Sequence, residues 1–166
     1  MANQQHLAML KQSIEDWNEW RQTHHEIQPD LSGADLKGAQ LQRIDLSHAR
    51  LNNADLTGAN LMEAMLSKAD FSDAILNKAN LSNVDLNHAI LRAAIISEAD
   101  LRSAILTNAD LTDADLYGTV LTGADLTGAI LQGANFSEAD LSDVDLTKAN
   151  TKGARLLKAY FFRKGE

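Results

Sequence analysis

Hydrophobic residues recur every five positions through most of the chain. From Leu31 to Leu156 the first position of this repeat is Leu in 22 of 26 cases, and from Ala34 to Ala159 the position three residues later is Ala in 22 of 26. The departures are Phe71, Ile96, Phe136 and Thr151 at the first position, and Ile44, Val84, Thr119 and Val144 at the second. The register never slips, so the repeat predicts one continuous architecture.

A period of five residues fits neither a helix nor a straight strand. In an α-helix five residues turn about 500°, so successive leucines drift by about 140° and form no apolar stripe. In a strand an odd period sends successive leucines to opposite faces. The chain must therefore turn once in every repeat if all the Leu and Ala side chains are to face one core.

The residue two places after each Leu predicts the type of turn. Glycine occupies this position in four successive repeats, where a type II turn requires a positive φ: Gly118, Gly123, Gly128 and Gly133. Charged residues at the same position predict type I or irregular turns elsewhere: Arg43, Glu63, Lys68, Asp73 and Glu98.

The repeats read Ala-(Asp/Asn)-Leu-X-X, as in Ala34-Asp35-Leu36 and Ala109-Asp110-Leu111. This pattern resembles the pentapeptide-repeat family over about four-fifths of the chain. The resemblance implies an all-β solenoid, a right-handed quadrilateral β-helix with four repeats in each coil. Residues twenty apart would then stack on one another.

The N-terminal segment has a different pattern. Leu7, Leu10, Ile14 and Trp17 predict an amphipathic helix over about residues 4 to 23 that covers the open end of the coil, and Pro29 separates it from the first repeat. The sequence Trp-Asn-Glu-Trp-Arg at 17–21, followed by Pro-Asp-Leu at 29–31, is similar to N-terminal segments of some cyanobacterial members. We therefore divide the chain into a capping helix and linker (1–29), a β-helix (30–160) and a tail (161–166).

Charge is concentrated in one part of the chain. The whole chain of 166 residues carries a net charge of -8, and residues 100–145 alone hold nine acidic residues and one base, Arg102, which also gives -8. We call this segment the acidic collar: Asp100, Asp110, Asp113, Asp115, Asp125, Glu138, Asp140, Asp143 and Asp145. These acids are expected on all four sides of the coil.

Two other groups are candidate interaction surfaces. Ile75, Ile90 and Ile95 stand where Asp or Asn is usual; we call them the isoleucine patch, although β-branched residues also suit an exposed strand. The C-terminal end is apolar: Leu156, Leu157, Tyr160, Phe161 and Phe162. It is expected either to fold over the last coil as a private cap or to form an end-to-end homodimer, as the topoisomerase-protecting members of the family do.

The sequence predicts no enzyme, cofactor or metal site. Asp or Asn before each Leu is expected to stabilise the adjacent turn by accepting backbone N–H groups. His48 and His88 would lie two coils apart, too far to share a metal ion. With no cysteine, scattered basic residues and no apolar stretch of about 20 residues, we expect a cytoplasmic protein that binds neither nucleic acid nor membrane.

Two functions remain open. The first is a non-enzymatic structural or protein-interaction module that binds an unidentified protein partner. The second is DNA mimicry, because some family members resemble B-form DNA and bind DNA gyrase, inhibiting it or protecting it from quinolones. An acidic rod would compete for the positive groove of the enzyme by the electrostatics that bind phosphate.

The inward assignment of the leucines generates a first prediction. Leu86→Lys places an unpaired charge in the apolar core and should abolish folding, whereas the neighbouring Asp85→Asn should be nearly silent. Thermal unfolding followed by circular dichroism tests both variants. Similar melting temperatures for Leu86→Lys and the wild type would contradict the assignment.

Overall fold

The computed structural model describes residues 1–162 and begins with two helices. Helix α1 spans Gln4–Gln12 and α2 spans Ile14–Thr23. The prediction of one helix over residues 4 to 23 is wrong at Ser13, which has an extended backbone with φ -160° and ψ 135°. The Ser13 hydroxyl accepts the backbone N–H of Asp16 at 3.2 Å. Ser13 therefore caps the start of α2 rather than continuing α1.

From Asp30 onward the chain forms a four-sided coil. Asp30 pairs with Arg50 and Asp140 with Tyr160, each pair parallel and 20 residues apart. Each pairing in the described part of the chain is an isolated bridge, with a turn between successive bridges. Residues 20 apart form columns, which we name after their first members: the Asp30, Asp35, Gln40 and Asp45 columns.

The turns are more uniform than the sequence predicts. The Ala34 N–H donates to the Leu31 carbonyl at 3.0 Å, closing a four-residue turn whose third residue, Gly33, has a φ of 67°. This is the pattern of a type II turn. The charged residues expected in type I or irregular turns also have positive φ, between 58° and 59°: Arg43, Glu63, Lys68, Asp73 and Glu98. For these five residues the prediction is wrong.

Stacking explains why charged residues adopt this strained conformation. The N–H of the residue with positive φ also donates to the next coil, as Lys68 does to the Asn87 carbonyl at 2.9 Å. A different turn at one corner would remove this bond and displace the repeats that follow it. The hydrogen bonds between coils therefore outweigh the local preference for glycine, which amounts to about 1–2 kcal/mol per residue.

The core is a narrow stack of Leu and Ala side chains. Every residue at the Leu position from Leu31 to Leu141 is buried, including Phe71 and Phe136. The corresponding positions of the last coil are not, because Leu146 is only partly buried and Leu156 is exposed. The core is thus closed along its sides and opens toward the C-terminal end.

Helix α2 takes the place of a coil beneath the Asp45 column. The Trp17 indole N–H donates to the Asp45 carbonyl at 2.7 Å, and the Asn18 side-chain oxygen accepts the Asp45 N–H at 2.9 Å. Arg21 donates to the Ser47 carbonyl at 3.1 Å. These side chains occupy the hydrogen-bonding groups that a lower coil would otherwise occupy, and Trp17 is fully buried.

The N-terminal residues cover the neighbouring side of the first coil in the same way. The Asn3 N–H donates to the Asp30 carbonyl at 2.9 Å, and the Asp30 N–H donates to Nδ1 of His6 at 3.1 Å. Burial lowers the pKa of His6, which favours the neutral ring that this bond requires. Neither helix within residues 1–162 is long and apolar enough to cross a membrane.

The contacts of the cap generate a second prediction. Trp17→Phe keeps an aromatic ring in the core but leaves the Asp45 carbonyl without its donor, which should cost about 1–3 kcal/mol. Trp20→Phe is the matched control, because Trp20 is only partly buried. Urea unfolding of both variants measures the difference, and equal free energies of unfolding would argue against the capping bond.

Candidate interaction surfaces

The Asp and Asn residues before each Leu stabilise turns. Asp55 accepts the backbone N–H of Thr57 at 3.0 Å and its hydroxyl at 2.6 Å. The backbone bond to the residue two places on recurs at every Asp or Asn in this position, including six members of the acidic collar: Asp100, Asp110, Asp115, Asp125, Asp140 and Asp145. The predicted structural role of these residues is confirmed.

The same contacts keep several of these carboxyl groups ionised. The hydroxyl of Thr57 lowers the pKa of Asp55, and the hydroxyls of Thr127 and Ser142 lower those of Asp125 and Asp140. General acid–base catalysis by two carboxyl groups requires environments that move their pKa values apart. Here the pKa values of Asp55, Asp125 and Asp140 all shift downward, so the hydrogen bonds favour the ionised form of each of these three carboxyl groups.

The acidic collar encircles the coil. Asp110 lies in the Asp30 column, Asp115 in the Asp35 column, Asp140 in the Gln40 column and Asp125 in the Asp45 column. Asp113 and Asp143 occupy the turns, each with a φ of 58°. The stacking shifts by one residue near Asp145. The Gly128 N–H donates to the Lys148 carbonyl, 20 residues on, whereas the usual partner lies 19 residues on, as Lys152 does for Gly133.

Bases from neighbouring coils partly compensate the charge of the collar. Arg92 lies 3.8 Å from the Asp110 carboxylate and Lys158 lies 3.7 Å from that of Glu138. Arg102 pairs with Asp100 in its own turn. Arg92 and Lys158 lie outside residues 100–145. The net charge of that segment therefore overstates the negative charge of the folded surface. Exposed pairs of this kind contribute about 0–1 kcal/mol to stability.

The isoleucine patch is a small surface in the middle of the rod. Ile75 and Ile95 pair directly in the Asp35 column, as the repeat predicts, and Ile90 lies in the adjacent Asp30 column. Ile90 and Ile95 are about two-fifths exposed, and Ile75 is half-buried. Met65, Ile105 and Ile130 are exposed to a similar extent elsewhere on the coil. Exposure alone therefore does not distinguish the patch.

The C-terminal end is the most exposed apolar surface of the described coil. Leu157 is 71% exposed, Tyr160 66%, Phe162 63% and Phe161 55%. These residues continue the coil, since the Tyr160 N–H donates to the Ala139 carbonyl at 2.8 Å and the Phe162 carbonyl accepts the Asp143 N–H at 2.8 Å. Residues 156–162 do not fold back as a private cap, and that prediction is wrong for them. Residues 163–166 of the predicted tail lie outside the described residues.

Tyr117, which the repeat pattern does not single out, is exposed beside the collar. Its hydroxyl donates to the Glu138 carboxylate at 2.7 Å, and the same carboxylate pairs with Lys158. The hydrogen bond to Glu138 raises the pKa of Tyr117. The twenty-residue spacing of Glu138 and Lys158 could have predicted this cluster, which joins the collar to the C-terminal end.

A groove of about 570 Å³ lies between the helices and the first coil. Leu10, Ile14 and Leu41 line it together with Lys11 and Lys37. Ser13 also lines the groove, and its hydroxyl caps α2 and donates to the Glu15 carboxylate at 3.1 Å.

Within residues 1–162 no cluster of His, Asp or Glu has the arrangement that holds a metal ion. His48 and His88 occupy corresponding turns of different coils.

The pentapeptide-repeat model matches this chain in eight copies that together cover residues 30–156. The chain therefore belongs to the pentapeptide-repeat family, whose members fold as right-handed quadrilateral β-helices. No curated protein sequence matches it.

Three solved structures illustrate the similarity. HetL, a pentapeptide repeat protein involved in heterocyst differentiation regulation from the cyanobacterium Nostoc sp. strain PCC 7120, is 29% identical over 81% of this chain and 79% of its own, with a TM-score of 0.47. Rfr23, from the cyanobacterium Cyanothece 51142, is 25% identical over 89% and 97%, with a TM-score of 0.42. QnrB1, a plasmid-mediated fluoroquinolone resistance protein, is 20% identical over 81% and 79%, also with a TM-score of 0.42.

The lowered carboxyl pKa values generate a third prediction. Stability from Asp55 and Asp140 is present above their unfolded pKa of about 3.9 and is lost as the pH falls through their lower folded values. The free energy of unfolding should therefore decrease on acidification below about pH 4. Asp55→Asn/Asp140→Asn keeps the acceptors without the titration, so its urea-unfolding curves should change less with pH. Identical pH dependence would contradict the role of these hydrogen bonds.

Proposed function

We propose that this protein is a non-enzymatic interaction module that binds a protein partner through its C-terminal end. The proposal includes the right-handed sense of the coil and a cytoplasmic location, with which the absence of cysteine is compatible. The single observation that carries it is the exposure of Leu157, Tyr160, Phe161 and Phe162 on one end of an ordered coil. Exposed apolar side chains grouped at one end of a protein are typical of protein interaction sites.

The other candidate surfaces support the proposal less well. In the collar, Asp110, Asp115, Asp125 and Asp140 already stabilise turns, and neighbouring bases balance part of their charge. The isoleucine patch is smaller and no more exposed than isolated apolar residues elsewhere. Aromatic side chains, which dominate binding energy at protein interfaces, are concentrated at the C-terminal end.

A variant that replaces two apolar residues of the C-terminal end tests the proposal. Leu157→Ser/Phe162→Ser should retain the fold, because both side chains are exposed, but should lose the proteins that wild type captures from an extract of the source organism. Ile90→Ser/Ile95→Ser is the matched control at the mid-rod patch and should capture them normally. If the two variants behave in the opposite way, the isoleucine patch is the contact surface and the proposal is wrong.

A second copy of the chain is one possible occupant of the C-terminal end. Sedimentation velocity at micromolar concentration tests the homodimer. If two copies associate through this end, the wild type should be a dimer and Leu157→Ser/Phe162→Ser a monomer. A wild-type monomer would exclude self-association through this end and leave a different protein as the partner.

The acidic collar supports a second function, DNA mimicry. In this alternative the rod binds DNA gyrase in place of a DNA segment and inhibits the enzyme or protects it from quinolones. The collar encloses the coil on four sides rather than forming a long stripe, which limits its similarity to two rows of phosphates. A gyrase supercoiling assay with excess protein tests the alternative, and no effect with or without a quinolone would rule it out.

A further inference from the structure

We propose that the C-terminal end receives an extended, acidic segment of a partner protein, which adds to the last coil as another strand. The inference rests on the proposed function, because it names the chemistry of the partner that the C-terminal end binds. Three properties of the last coil carry it: its backbone edge, its exposed apolar side chains and its charge.

The backbone of the last coil presents hydrogen-bonding groups in a regular row. In the coil below, the Leu131, Phe136 and Leu141 N–H groups donate to carbonyls 19 residues later, at 2.7 to 2.8 Å. The equivalent N–H groups of the last coil have no backbone partner within residues 1–162: Thr151, Leu156 and Phe161. The carbonyls of Ala149, Ala154 and Ala159 are open in the same way. Such an edge is a template for strand addition.

The side chains indicate what the added segment must carry. Leu156 and Phe161 occupy the inward positions of the last coil, and both are exposed because nothing in the described chain lies above them. A segment that continues the coil would place apolar residues over these two side chains. Leu157, Tyr160 and Phe162 would contact its edge, as rim residues do at protein interfaces.

The charge of this surface selects among possible occupants. The last twenty described residues, 143–162, contain two acidic residues, Asp143 and Asp145, and four basic ones, which leaves the last coil with a net positive charge: Lys148, Lys152, Arg155 and Lys158. Two copies meeting end to end would bring these charges together, which opposes a homodimer. An acidic segment instead complements them, as Glu138 already does for Lys158 within the chain at 3.7 Å.

The open backbone edge also argues against an anionic membrane as the occupant. Basic and aromatic residues together are typical of surfaces that bind acidic lipids. However, the N–H groups of Thr151, Leu156 and Phe161 would meet hydrocarbon that cannot accept hydrogen bonds, which is costly. A protein strand satisfies the edge, the apolar side chains and the charges together.

The chain itself supplies a probe with the required properties. Residues 106–125 contain four aspartates and no basic residue. In the folded protein this segment pairs in parallel with the coil below, for example through Asp110 with Ile90 and Asp115 with Ile95. A fluorescein-labelled peptide of this sequence tests strand addition, and the same peptide with its four Asp residues replaced by Asn is the neutral control.

Fluorescence anisotropy with the full-length protein should show that the acidic peptide binds at least about tenfold more tightly than the neutral one, with an affinity that falls as salt rises. Lys152→Glu/Arg155→Glu should abolish this preference. Lys68→Glu/Lys78→Glu, which makes the same charge change in the middle of the rod, should not. Circular dichroism checks that both variants retain the fold of the wild type.

Several outcomes would overturn the inference: no binding of the acidic peptide, equal binding of the neutral one, or an equal loss of the preference in the C-terminal and the mid-rod charge-reversal variants. Binding to phosphatidylserine vesicles without binding to the peptide would identify a lipid surface instead. The proposed function can survive these results, since it fails only if Leu157→Ser/Phe162→Ser still captures its partners. If Leu157→Ser/Phe162→Ser loses its partners but the wild type shows no preference for the acidic peptide, the C-terminal end still binds a protein. Only the inference of an acidic strand is then excluded.

Discussion

The structure depends on hydrogen bonds between residues about twenty apart. The Leu86 N–H donates to the Ile105 carbonyl of the coil above it, and the Ile105 N–H donates to the Val84 carbonyl of the coil below. These bonds impose the same turn at successive corners and hold the Leu and Ala columns in register. The dominance of stacking explains why residues as different as Lys68 and Gly118 share a positive φ.

A coil held together in this way leaves an unpaired edge at each end, and the two ends differ. At the N-terminal end Trp17, Asn18 and Arg21 supply the donors and acceptors of a missing coil. At the C-terminal end residues 156–162 extend the coil without covering it, and apolar side chains remain exposed. The constraint that forms the fold therefore also creates the surface to which we assign partner binding.

The five-residue pattern predicted most of the fold because each repeat carries the same information about the core. Local features were harder to predict. The break at Ser13 reflects competition between helix continuation and capping, which helical periodicity does not report. The pairing of Glu138 with Lys158 depends on stacking across coils, and the exposure of Phe161 depends on whether another coil covers it. The candidate surfaces could be located from departures from the repeat, but the open backbone edge of the C-terminal end could not.

Amide hydrogen exchange measured by NMR shows whether the C-terminal end is an open edge available to a partner. We expect strong protection for the Leu131 and Phe136 amides, which donate to the last coil, and rapid exchange for those of Thr151 and Leu156. Adding the acidic segment should slow exchange at Thr151 and Leu156. Strong protection of these two amides in the free monomer would instead show that the edge is already occupied and that no partner strand can add to it.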